Sequence, residues 1–519
     1  MNDDAADTLA RLIARCVARF GARPALVDGD RRWTYAALDR DRRAAARAFI
    51  AAGVQPGDRV CLWAPNSAEW IIACLGLQSA GAVLVPTKPR YQGGAAADNV
   101  RRSGARIAVT AGEVLGVDYP AALRAQRLPA LERIVVLGAA DAADDGWARF
   151  LAAGEAVDPA LAEARAQAVG PDDLSDIMFT SGTTGQSKGV MLSHAQTVRT
   201  YTGWSQSVGL CADDRYLVPA PFFHSFGYKA GWLAGFIAGA AVYPLAVFEV
   251  DPVLALIQRE RITCLPGPPT IFLSILAHPR RAAFDLSSLR LVATGAANVP
   301  VEMVRRLRTE MGIGVVLTGY GLTEASATVS MSRHDDDPEV IATTVGRPIA
   351  GVEVRCVDAR GRSVAVGEPG EILVRGYNVM RGYLDDPAAT AAAIDAEGFL
   401  HTGDVGVIDE RGYLRITDRI KDMFIVGGFN CYPAEIENTL YRMPGIAQVA
   451  VIGVPDARMG EVGKAFIVRK AGADLAADDV VAWCRAEMAN YKVPRHVEFV
   501  DALPLNASGK VLKHQLRAS

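Results

Sequence analysis

Thr180 to Val190 reads TSGTTGQSKGV, three glycines, two serines and three threonines around a single lysine. Glycine lets backbone N–H groups approach a ligand closely, hydroxyls donate hydrogen bonds, and Lys188 adds a mobile cation. That mixture suits a polyanion such as a triphosphate. The preceding LSDIMF has strand character and the following VMLSHAQTVRTYTGW helical character, so the segment is expected to join a strand to a helix, where phosphate loops sit. A Walker A loop needs Gly-Lys followed by Ser or Thr, whereas Lys188 lies between Ser187 and Gly189. A flexible surface turn is the plainer alternative.

Four later motifs follow in order: YGLTE (Tyr320 to Glu324), HTGD (His401 to Asp404), YLRITDRIKD (Tyr413 to Asp422) and PLNASGK (Pro504 to Lys510). With the loop, they resemble the adenylate-forming superfamily of acyl-CoA synthetases, luciferases and peptide-synthetase adenylation domains, over almost the whole chain. The resemblance implies that Thr180, Ser181, Gly182, Thr183, Thr184, Gly185 and Lys188 bind ATP phosphates. Tyr320 and Gly321 would border the nucleotide, with Tyr320 stacked on the base. Thr323 would bond a phosphate oxygen and Glu324 would hold Mg2+ through oxygen. Asp404 would accept from ribose hydroxyls, and Arg419 would bind the ribose or a phosphate.

Each has a plainer reading: Thr323 near a helix N-terminus, Asp404 as a turn residue after glycine, Arg419 in a surface ion pair. Gly295, Ala296 and Ala297 in GAAN resemble the superfamily's adenine and acyl-pocket strand end, while Asn298 there could simply cap a helix after a turn. His224 in PFFHSFGY reads by composition as a core histidine; in the superfamily the matching histidine lies beside the acyl carboxylate.

A carboxylate is a poor acyl donor because oxide is a poor leaving group. The implied remedy is attack on the α-phosphate of ATP, giving acyl-AMP and pyrophosphate, followed by thiol displacement of AMP. Lys188, Lys510, Mg2+ and loop N–H groups would neutralise the anions. Lys510 alone is an ordinary tail lysine; in the superfamily its counterpart enters the site only for adenylation, after which a small C-terminal domain rotates about a hinge, here Lys421. Gly427 and Gly428 of VGGFN would then admit a pantetheine thiol, which a hairpin turn at the same place allows.

The sequence ends at Ser519 with no carrier-protein segment after Lys510, so coenzyme A is the expected acceptor and a separate carrier the alternative. PFFHSFGYKAG, CLPGPPTIF, GFNCYPAEIE and VGKAFIVRK look like the CoA ligases of actinobacterial steroid-ring degradation, implying a bicyclic indane-dione propanoate as the acid. A medium-chain or alicyclic acid is the near alternative. A catalytically silent ATP-binding sensor is the alternative of another class.

The elements that must position these residues are legible as texture. To about residue 350, apolar runs such as DRVCLWAPN, GAVLVPT, RIAVTA and LERIVVLG alternate with longer helical patterns, predicting an α/β fold of parallel-rich sheets covered by helices. Beyond it, short strands with Gly turns predict an antiparallel, β-barrel-like section. From about 420, strands and a helix in QVAVIGVPDARMGEVGKAFIVRK and AADDVVAWCRAEMANYK predict a small, mobile α+β unit. The expected domains are 1–420 for adenylation and 421–519 as a lid carrying Lys510.

Composition sets the outer limits. The chain has 519 residues, 50% hydrophobic and 22% charged, more than one ordinary core organises. A formal net charge of -3 gives no reason to expect nucleic-acid binding. Eight scattered cysteines without a CxxC pair predict buried thiols in a reducing cytoplasm. The opening MNDDAADTLARLIARCVARF lacks the features of a signal peptide, which predicts a protein that is not secreted. The uncharged AGWLAGFIAGAAVYPLAVF (Ala230 to Phe248) is nearly long enough to span a bilayer, yet its glycines and proline predict a buried helix to about Gly239 and then a strand, with no integral membrane association. The sequence is compatible with a homo-oligomer.

Overall fold

A computed structural model describes residues 7–91, 93–138, 146–180, 187–295, 299–419, 422–427, 429–505 and 511–517, with backbone alone at 418, 419, 429, 430 and 514. Ser181, Gly182, Thr183, Thr184, Gly185, Ala296, Ala297, Lys421, Gly428 and Lys510 lie outside the described residues, as does the side chain of Arg419.

Arg59–Trp63, Val83–Pro86, Ile107–Thr110 and Arg133–Val136 are nearly continuous apolar runs, the pattern of strands covered on both faces. They pair in parallel inside a seven-stranded sheet, and Leu174–Thr180 joins them in parallel beside Val83–Pro86. A nine-stranded sheet contains a second parallel set, Ala241–Pro244, Arg215–Val218, Cys264–Gly267, Leu291–Thr294 and Val315–Tyr320. The helix Ala68–Ser79 is buried at every residue but Glu69 and touches strands of both sheets, as expected of a helix apolar all round.

The antiparallel section is a four-stranded sheet of Val352–Val357, Gly370–Gly376, Leu400–Ile408 and Leu414–Arg419. The last region is a five-stranded sheet with the helices Pro433–Tyr441 and Ala477–Glu487. It has a core of its own around Phe424, Ile436, Leu440, Val451, Ile467 and Val480.

The uncharged stretch folds as a π-helical turn, Tyr228–Leu233, a short α-helix, Ala234–Ala238, and a strand, Ala241–Pro244. Gly239 ends the helix at φ 83°, where glycine is favoured. Glycine is also required by closeness: a Cβ on Gly231 would meet a Val218 methyl at 2.6 Å. Among the described residues no helix is long and apolar enough to cross a membrane.

Two expectations are corrected. TSGTTGQSKGV joins two antiparallel strands, Leu174–Thr180 and Lys188–Ser193, rather than a strand and a helix; Lys188 pairs with Thr180. KGVMLS buries Val190 and Leu192 against the sheet, and the helix His194–Val208 starts only after it, at a capping box of Ser193 and Gln196. Of the cysteines, Cys211 is exposed and the other seven are buried; all eight are unpaired.

Candidate functional site

Strand ends of the nine-stranded sheet converge on a cleft whose lining includes Tyr201, Trp204, His224, Phe226, Gly295 and Tyr320. Gly295 leaves the strand Leu291–Thr294, and a Cβ there would lie 2.9 Å from the Gly319 carbonyl oxygen. Gly321 is tighter: a Cβ would meet the Ala327 carbonyl oxygen at 2.2 Å. The cleft therefore has a floor of bare backbone. The helix after GAAN begins at Val301 with Pro300 as its N-cap, and Asn298 lies outside the described residues.

Tyr320 ends its strand, and Thr323 and Glu324 fall in a single 3-10 turn, Thr323–Ala325, rather than at a helix N-terminus. The two residues after that turn, Ser326 at φ 51° and Ala327 at φ 59°, are both left-handed, a conformation that costs free energy without glycine and collects at functional sites. Tyr201 Oη donates to the Ser326 carbonyl at 2.8 Å and Ser326 Oγ to the Asn378 carbonyl at 2.8 Å. These bonds hold the turn that presents Glu324.

Asp404 lies within a strand rather than a turn, and its backbone pairs directly with Arg419 on the neighbouring strand. Its carboxylate is buried, and Tyr320 Oη donates to Oδ2 at 2.6 Å. Three candidates, Tyr320, Asp404 and the backbone of Arg419, thus meet at one edge of the cleft.

Lys188 and Glu324 are linked by a residue that the motifs did not single out. Tyr383, in the two-residue strand paired with Val190 and Met191, donates its hydroxyl to Glu324 Oε1 at 3.0 Å, and its ring lies 4.7 Å from the Lys188 ammonium. Burial pushes the Tyr383 phenol well above its ordinary pKa, with Glu324 adding to the rise, so it is a donor throughout the physiological range. The only sequence signal is the aromatic in RGYLDDP. Among the described residues no group of three His, Cys, Asp or Glu could hold a metal ion.

His224 caps the short helix Ser225–Gly227, and its Nδ1 accepts from the Phe226 N–H at 3.2 Å. In the neutral ring that bond leaves the proton on Nε2. Five residues further along the chain, Lys229 forms a fully buried ion pair with Asp176 at 2.9 Å. Gly427, not among the residues lining this cleft, sits at φ 56° in the hairpin of Phe424–Val426 and Phe429–Cys431, as the hairpin reading of VGGFN predicts.

Residues 13–384 match the family of AMP-binding enzymes, and residues 435–510 match the AMP-binding enzyme C-terminal domain. A 3-[(3aS,4S,7aS)-7a-methyl-1,5-dioxo-octahydro-1H-inden-4-yl]propanoyl:CoA ligase from Rhodococcus jostii is 52% identical over 512 residues, 97% of each chain. The ligase of the same name from Mycobacterium tuberculosis is 51% identical, over 98% of each chain. The crystal structure of the anthranilate CoA ligase AuaEII with anthranoyl-AMP superposes with a TM-score of 0.89 at 27% identity, covering 99% of this chain and 97% of that one.

Proposed function

The chain belongs to the AMP-binding enzyme family, and from that premise we propose that it is an ATP-dependent acyl-CoA ligase whose acid is the bicyclic dione propanoate of its two full-length relatives. The observation that carries this reading is the likeness to those two ligases along nearly the whole chain. The cleft walled by Tyr201, Trp204, Phe226 and Met331 supports it, because an apolar ring system would bury its surface there. A medium-chain or alicyclic acid is the competing substrate.

The reaction has two steps. A carboxylate oxygen of the acid attacks the α-phosphorus of ATP and pyrophosphate leaves; the thiolate sulfur of CoA then attacks the acyl carbonyl and AMP leaves. We assign Thr180, the loop 181–185, Lys188 and Thr323 to the phosphates, Tyr320 and the Gly295–Gly321 floor to the nucleotide, and Asp404 with Arg419 to the ribose. His224 faces the acid. Lys510 neutralises charge between carboxylate and α-phosphate, and Gly427 with Gly428 lines the thiol approach. We place the domain boundary at 420/421, with Lys421 as the hinge; the separate core of the last region supports it.

Glu324 fits a metal that arrives on ATP: it is a single carboxylate beside a phosphate-loop lysine, without a cluster of further protein ligands among the described residues, and Mg2+ is commonly held by one or two carboxylates plus substrate phosphates. Bound there, Mg2+ would offset charge developing on the phosphates. Eight unpaired cysteines suit a cytoplasmic setting.

The test is acid-dependent AMP formation with ATP, Mg2+ and CoA across steroid-derived propanoates, medium-chain fatty acids and aromatic acids. Selectivity for the bicyclic dione propanoate is expected. Faster turnover of octanoate removes that acid, AMP without thioester indicates another acceptor, and no acid-dependent AMP leaves the ATP-sensor reading.

A further inference from the structure

The buried Lys229–Asp176 pair has no place in the chemistry just described, yet it joins the two halves of the site. Asp176 lies on the strand Leu174–Thr180, which runs directly into the phosphate loop. Lys229 lies in the π-helical turn Tyr228–Leu233, just after His224 and Phe226 and next to Ala230, all of which line the cleft. Both side chains are 0% exposed. Lys229 Nζ donates to Asp176 Oδ1 at 2.9 Å and to Thr197 Oγ1 at 3.0 Å, and Ser175 Oγ donates to Asp176 Oδ2 at 2.7 Å. Gln78 completes the network, donating to the Ser175 carbonyl at 3.0 Å and to Tyr228 Oη at 2.9 Å.

Stability is a weak reason for this arrangement, since a buried ion pair is commonly matched or exceeded by apolar residues of similar volume. Direction is what the pair supplies: an ammonium held between a carboxylate and a hydroxyl has a defined position, which apolar packing gives less sharply. The turn needs such an anchor. Gly231 departs from helical geometry at φ -80°, ψ -106°, so the backbone carrying Phe226 and Ala230 is not aligned by an unbroken helix. Turns of this π type occur often at functional sites.

We propose that Lys229 and Asp176 are positioning residues, whose ion pair fixes the His224-bearing wall of the acid pocket against the strand that carries the phosphate loop. The inference rests on the ligase reading for the meaning of the two halves. Without the pair, the fold persists while the acid is misplaced relative to the α-phosphate, and misplacement of about 1 Å costs on the order of a hundredfold in rate.

Two variants test this. The apolar double variant Asp176→Leu/Lys229→Met removes both charges together, avoiding the unpaired charge that either single change leaves; Asp176→Glu keeps the pair but lengthens it by one methylene. In whichever folds with wild-type melting behaviour, kcat/KM for the acid is expected to fall about a hundredfold with ATP affinity in the absence of acid unchanged. The second readout is the NMR titration of the His224 imidazole in labelled protein, whose midpoint is expected to move with the wall. A folded variant with wild-type kcat/KM and an unmoved His224 titration overturns the proposal. If the wild-type protein turns over no acid, the ligase reading fails, and the His224 titration alone still decides whether the pair positions the wall.

Discussion

Tyr320 Oη lies 2.6 Å from Asp404 Oδ2, tying the end of a strand in the nine-stranded sheet to a strand of the antiparallel section. The phenol thus fixes the orientation of a carboxylate assigned to the ribose, and a bond to a charged acceptor contributes more than a neutral one. Tyr320→Phe is expected to raise the KM for ATP by about tenfold, on the scale of one such hydrogen bond, with a smaller change in kcat. Asp404→Ala should weaken ATP further. ATP–pyrophosphate exchange with the preferred acid measures both; wild-type ATP dependence in the Asp404 variant removes that residue from the nucleotide site.

Tyr383 serves Glu324 and Lys188 together, so its hydroxyl and its ring can be separated by mutation. Tyr383→Phe keeps the ring beside Lys188 and deletes the donor to Glu324. The Mg2+ concentration for half-maximal activity is expected to rise about tenfold, on the scale of one hydrogen bond to a charged group. Mn2+ affinity in the presence of a non-hydrolysable ATP analogue, followed by electron paramagnetic resonance, should weaken in parallel. Unaltered metal dependence by both measurements would separate Tyr383 from Glu324.

His194 makes acid stability predictable. It opens the helix His194–Val208, is buried, and accepts from the Leu9 N–H through Nδ1; burial pulls its pKa down from 6.5 to about 4. Between those values the unfolded chain binds a proton that the folded chain does not, so stability rises with pH across the window. Its contribution is complete above pH 6.5 and is lost as pH falls to about 4, a difference of about 3 kcal/mol. Urea unfolding at several pH values should show that slope, flattened in His194→Asn. A slope identical in the variant would assign the acid sensitivity elsewhere.

Lys510 is proposed to act in the first half-reaction alone. Lys510→Ala should lower acid-dependent adenylation by about a hundredfold to a thousandfold, the scale of one lost electrostatic stabiliser, and should lower thioester formation from supplied acyl-AMP far less. ATP binding by equilibrium dialysis should be retained. Equal losses in the two half-reactions contradict a lysine that leaves the site between them.

Local structure was written plainly in the sequence. VCLW, VLVP and IAVT are strands because apolar, β-branched runs suit an interior covered on both faces, and each took its expected place. Gly239 and Gly427 stand where the chain turns left-handed, a property of the residue itself. The five ordered motifs carried the family, since together they resemble its pattern while each alone has a plainer reading as a turn, cap or ion pair. KGVMLS reads as part of the following helix because a short apolar run beside a helix carries no decisive period; pairing with Leu174–Thr180 makes it a strand.

What the sequence by itself determined was therefore the inventory: most of the segments that form strand or helix, and which residues are candidates to hold a nucleotide and an acid. Only the tertiary structure decided the meetings. Tyr320 found Asp404, Glu324 found Tyr383, and Lys229 found Asp176 across long separations in the chain. A residue's dihedral preference and hydrogen-bonding capacity act over a few positions, whereas a contact between distant strands depends on the packing of every sheet and helix between them.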